Sequence, residues 1–150
     1  MKKHTLKSLI EKKPIVLNAT QMTQEKMEVF VMQHAQIINE EIGYLLFRFQ
    51  GVKMALISDE EHNRMRIIAP ITQYSNLAPK IKDSLMQSNF HLALDARYAV
   101  SEDTLYAAFI HPLSTLAQED LESALNQVYN LTSSFGKTYS SGQLDFTNKK

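Results

Sequence analysis

Cysteine is absent from this 150-residue chain. Disulfide staples, thiolate nucleophiles and cysteine zinc sites are therefore excluded, and a reducing compartment is compatible with the sequence. Glycine is scarce: four residues in all, too few for a phosphate-cradling loop, with neither G-x-G-x-x-G nor G-x-x-x-x-G-K present. Gly136-Lys137-Thr138 looks like the end of such a loop, but Leu131 stands where its first glycine belongs. Surplus charge is also missing, since sixteen basic residues balance sixteen acidic ones. No global field draws the chain to nucleic acid or an anionic membrane. No stretch approaches the roughly 20 apolar residues that span a bilayer. The N-terminus lacks the apolar core of about 7–15 residues that a secretory signal needs. Stable membrane insertion is not expected, and the expected address is the cytoplasm.

What is present suits one ordinary domain. The chain is 44% hydrophobic and 21% charged, enough for a core without staples. The expected domain runs over 20–143, between a basic N-terminal extension (1–19) and a flexible C-terminal tail (144–150). In the extension, Leu6, Leu9 and Ile10 lie at helical spacing among Lys2, Lys3, Lys7, Lys12 and Lys13, a pattern open to a short amphipathic anchor or a packing helix.

Met27, Phe30, Val31, His34 and Ile38 recur at helical spacing, with Thr20 or Thr23 as N-cap, and Gly43 breaks the pattern. Periodicity then changes to two. Leu45, Phe47 and Phe49 alternate with Tyr44, Leu46 and Arg48, Met54 and Leu56 with Lys53, Ala55 and Ile57, and Met65, Ile67 and Ala69 with Arg64, Arg66 and Ile68, which predicts a three-stranded meander. Gln50-Gly51 marks a tight turn and Ser58 to Asn63 a looser one. Leu77, Ile81 and Leu85 predict a short helix with Pro79 in its first turn.

The stretch from His91 to Pro112 reads as a hairpin. Leu92, Leu94, Ala96, Tyr98 and Val100 are expected to face the core, and His91, Ala93, Asp95, Arg97 and Ala99 the other way. Ser101 to Thr104 makes the turn, and Pro112 ends the partner strand. Thr115 and Gln118 fit a capping box for a last helix whose stripe is Leu121, Leu125, Val128, Thr132 and Phe135, stopped by Gly136.

Catalytic and metal-binding patterns are weak. The five histidines, His4, His34, His62, His91 and His111, do not form H-x-x-x-H or H-E-x-x-H. His111, at a strand end with Asp95 and Arg97 nearby in sequence, is the candidate for a small enzyme, but no nucleophile and orienting carboxylate surround it. The run Asp59-Glu60-Glu61-His62 reads as a solvated turn. Arg48, Lys53, Arg64 and Arg66 share the outer face of the meander with Tyr44, yet the paired aromatics of an RNA platform are missing. No catalytic residue, cofactor, metal or nucleic acid is therefore expected. The seven methionines suit a core and an adaptable binding surface alike.

From Leu77 to Leu125 the chain resembles the type III secretion chaperone-like fold, which also includes the bacterial YbjN family. A short helix ends in Asn89-Phe90, a hairpin of small and apolar residues follows, and the Pro112-Leu113 corner leads into a long helix. The resemblance implies an α+β fold, an antiparallel five-stranded sheet packed with three helices in the order α-β-β-β-α-β-β-α. Secretion chaperones of this fold are small, often acidic dimers that hold partner segments. This chain is neutral, which points to a YbjN-like regulatory or chaperone-like role. The expectation is a non-catalytic homodimer that binds a protein partner of unknown identity. Met27, Phe30 and Val31 are assigned to the partner, and Leu85 and Met86 to the dimer contact. The alternatives are the small enzyme and an adaptor that binds membrane or nucleic acid through its basic extension.

Overall fold

Residues 22–142 are described by a computed structural model. The expected extension and tail, and both limits of the expected domain, lie outside the described residues.

Thr23 starts the first helix. Its Oγ1 accepts the Lys26 N–H at 3.1 Å and satisfies one of the unpaired donors of α1 (Gln24–His34). Met27, Phe30 and Val31, spaced i, i+3 and i+4, form its buried stripe. The helical pattern does not continue to Ile38. Ala35 is extended, with φ −143° and ψ 163°, and Gln36–Glu41 forms β1.

The sheet therefore has six strands, and the five-stranded expectation is corrected. The order is α-β-β-β-β-α-β-β-α, with a single 3-10 turn at Tyr74–Asn76 before the second helix. β1 pairs with β2 (Tyr44–Phe49) across the two-residue loop Ile42-Gly43. Gly43 has φ +84°, and an added Cβ would lie 3.2 Å from the Ser58 carbonyl oxygen. It turns a hairpin where the sequence reading had it stop a helix. β1 hid from the sequence because it is an exposed edge strand with a bulge at Ile38. Neither period is legible in such a segment.

The meander continues as expected through β3 (Val52–Asp59) and β4 (Arg64–Gln73). Gln50 and Gly51 turn it with φ of 50° and 85°. β4 then pairs with β6 (Thr104–Pro112), and β6 with β5 (Arg97–Ser101), giving the antiparallel order β1-β2-β3-β4-β6-β5. The β5–β6 turn is Glu102-Asp103, both at positive φ.

α2 (Pro79–His91) has Pro79 in its first turn and Leu85 buried. α3 (Gln118–Ser133) buries Leu121, Leu125, Val128 and Leu131. Its cap lies two residues beyond the expected Thr115. The Ala117 N–H donates to the Asp120 carboxylate at 2.9 Å, which closes the start of the helix.

α3 packs on β4, β6 and β5, and α2 on β5. One alternating set of strand residues, including Leu45, Phe47, Met54, Leu56, Met65, Ile67, Leu105 and Phe109, joins Met27, Val31, Leu85, Leu125 and Val128 in one buried cluster. The three described helices thus cover the same sheet face. At about 25 cal/mol per Å² of apolar surface, this burial is the main favourable contribution to folding.

The expected strand from His91 starts too early. His91 closes α2, Leu92 to Ala96 is a loop, and β5 begins at Arg97. Ala96 and Tyr98 are buried as expected, but Leu92 and Leu94 are only half-buried, Ala93 from the expected outer face is buried, and Val100 is exposed.

Candidate functional site

The groups with chemistry in their side chains bond mostly to structure. His111 Nδ1 lies 2.8 Å from the Pro112 carbonyl oxygen, and its ring stacks on Phe109. Asp95 accepts from Gln127 Nε2 at 3.2 Å, while the Arg97 guanidinium donates to the Leu94 carbonyl. The three residues of the enzyme alternative thus bond to three different places. His34 stacks on Phe30 at the end of α1. His62 bonds Asp59 at 2.7 Å, and that hydrogen bond holds the Asp59 carboxyl below its ordinary range. Among the described residues no three acidic or histidine side chains gather as for a metal. No described helix is long and apolar enough to cross a membrane.

Two amides shape the sheet's end: buried Gln127, which the sequence did not flag, and half-buried Asn89, named there only as part of the Asn89-Phe90 pair. Gln127, on the buried side of α3, accepts from the Asp95 and Ala96 N–H groups at 2.8 and 2.9 Å. Its Nε2 donates to Asp95 and Ser123, so every polar atom is satisfied. This clip makes residues 92–96 a loop, which is why β5 starts late. The legible signal was a polar residue four before Leu131 on an otherwise apolar stripe. Asn89 works on the outer edge of β5. Its side chain accepts from the Tyr98 N–H at 2.8 Å and donates to the Tyr98 carbonyl at 3.0 Å. It imitates one residue of a neighbouring strand, covering the edge where another chain would add. The Tyr98 hydroxyl donates to the Leu131 carbonyl, and burial pushes that phenol's pKa up.

The β5–β6 turn is anchored similarly. Asp103 accepts from Gln73, from the Ser75 hydroxyl and from the Ser75 N–H at 2.7–2.9 Å. Those bonds, Gln73 first, lower its carboxyl pKa. They also hold a non-glycine pair at positive φ, a costly backbone state.

Among the described residues, large apolar side chains stay exposed at Val29, Ile38 and Ile42 around α1 and β1, at Val100 on β5, and in two further patches. On α2, Met86 is 68% and Phe90 75% exposed. Leu85, paired with Met86 in the sequence reading, points into the core. The other patch is the sheet face that none of the described helices covers. Leu46, Ala55, Ile68 and Ala108 stand opposite one another across β2, β3, β4 and β6, in a continuous row. Ile57, Arg66 and Ile110 form the next row. Arg48, Lys53 and Arg64 lie on this same face by register, as the sequence indicated. Met27, Phe30 and Val31, assigned to a partner, close the core from the helix side.

No protein-family model matches the chain, and no curated protein does. Solved structures do. A chain of the HopA1–SchA chaperone–effector complex superposes with a TM-score of 0.54 at 9% identity, over 75% of this chain and 88% of that one. A chain of the ExsC–ExsE complex gives 0.54 at 17% identity, over 75% and 91%. The likeness extends over almost all of those chains and establishes a shared fold.

Proposed function

We propose that the protein is a non-catalytic, chaperone-like binding module that acts as a homodimer and holds a segment of a partner protein. The observation that carries this reading is the apolar surface left open on both α2 and the sheet, in a fold shared with a chain of a chaperone–effector complex. Large apolar side chains exposed together mark interaction surfaces in proteins that otherwise bury them. A regulatory role of the YbjN kind fits the same surfaces, because regulation by sequestration also needs a held segment. Work in the cytoplasm suits a chain without cysteine.

The dimer contact falls on α2, at Met86 with Phe90 one turn on. Leu85 supports it from beneath by fixing that helix on the core. Met27, Phe30 and Val31 belong to the partner site only for a partner that displaces α1, since all three are buried in the free chain.

Light scattering of the full chain tests the dimer. It should return about twice the 17.2 kDa protomer mass, and Met86→Asp with Phe90→Asp should return the protomer mass with its fold unchanged by circular dichroism. A protomer mass for the unaltered chain would sink the dimer. Tagged capture with mass spectrometry, followed by reconstitution of any stoichiometric partner, tests the holding role.

A further inference from the structure

The open sheet face has a chemistry that neither the fold nor the dimer explains. Its floor is aliphatic: Leu46, Ala55, Ile57, Ile68, Ala108 and Ile110, with Ile110 54% exposed. Tyr106 and Val100 help close one end into a shallow depression of about 230 Å³. The charge around that floor is mostly positive, five cations to two carboxylates. Arg48, Lys53, Arg64, Arg66 and Arg97 lie on this face by register. The carboxylates sharing it, Asp59 and Glu41, sit at strand ends, and Asp59 is already bonded to His62. Among the described residues no carboxylate pairs with Arg48, Lys53 or Arg66. Cations beside an apolar floor, without acidic partners of their own, complement a ligand that brings both oil and negative charge.

We propose that this face docks an acidic segment of a partner protein whose carboxylates alternate with aliphatic side chains. The proposal rests on the holding role above and names the chemistry of what is held. The chain's own termini do not fit. The first thirteen residues carry five lysines against Glu11, and residues 143–150 carry Lys149 and Lys150 against Asp145 alone. A second copy laid face to face would set the five cations against five more. Nucleic acid asks for adjacent aromatic platforms on which bases stack, whereas the two tyrosines of this face, Tyr44 on β2 and Tyr106 on β6, stand three strand spacings apart with aliphatic residues between them. Five strands from β2 to β5 at about 4.8 Å spacing span roughly 19 Å, the reach of about six extended residues.

The probe is a fluorescein-labelled peptide of about eight residues alternating Glu and Leu, titrated into the full chain by anisotropy. It should bind, and about tenfold more weakly when salt rises from low to physiological strength and beyond. Arg66→Glu should cost about tenfold in Kd or more without moving the melting temperature, because Arg66 is exposed. A peptide with Lys in place of Glu should not bind the unaltered chain. Equal binding of the two peptides, or indifference to Arg66→Glu, overturns the proposal. So does a single-stranded oligonucleotide that displaces the acidic peptide and binds more tightly. A natural partner held as firmly by Arg66→Glu as by the unaltered chain would overturn this surface and leave the holding role standing. Met86→Asp with Phe90→Asp should break the dimer and leave peptide binding unchanged.

Discussion

The same strands present two faces that differ in what covers them. On one, Phe47, Met54, Leu56, Met65 and Ile67 are almost wholly withdrawn from water beneath three helices. On the other, one residue along in each strand, Leu46, Ile57 and Ile68 are half-buried and Ile110 is exposed between arginines. Antiparallel sheets with one solvated face ordinarily place polar residues there. This sheet has aliphatic ones at the centre and cations around them. The contrast teaches that alternation in a strand identifies which face is packed, but apolar residues on the other face signal a second burial still to come.

Three substitutions probe that contrast. The largest effect belongs to the packed face. Phe47→Ala removes a fully buried ring and should lower unfolding free energy by about 3–5 kcal/mol. Urea denaturation reads it, and a loss near zero would mean that the packed face is loosely filled. The next is the clip that joins the sheet's end to α3. Gln127→Ala leaves the Asp95 and Ala96 N–H groups without their acceptor, at about 1–3 kcal/mol. Hydrogen exchange at Ala96 should quicken in step; an unchanged rate would show that water replaces the amide. The smallest is Ile110→Ser on the open face, expected within about 0.5 kcal/mol of the unaltered chain. A large drop in its melting temperature would mean that Ile110 is buried in solution by something other than the partner proposed.

Much of this architecture was legible because it obeys local rules. Thr23 is a cap with a free donor to satisfy, Gln50-Gly51 is a turn, and Leu45, Phe47 and Phe49 keep period two. The stripe Leu121, Leu125, Val128 also kept its helical spacing into the structure. β1 was not legible. Ile38 sits at the spacing that continues α1, and nothing local opposes a helix there; pairing with β2 decides it. The strand from His91 failed for a similar reason, since Gln127 lies 31 residues from Ala96 and takes the N–H groups that a ladder would have used. Of the candidate site, the cations on the outer face were readable from alternation. The continuous apolar row between them was not, because it depends on the register of four strands.

The sequence by itself determined the class of the molecule: its α+β character, most of its core residues, the turns at Gln50-Gly51 and Ser101 to Thr104, and the absence of cysteine and phosphate-loop chemistry. Those properties come from contacts within a few residues, where spacing and side-chain type act directly. Only the tertiary structure decided how many strands the sheet has, where β5 begins, and which apolar residues stay in water. Each of these is a competition between distant groups for the same hydrogen bond or the same covered surface, and its outcome depends on which partners the folded chain brings together.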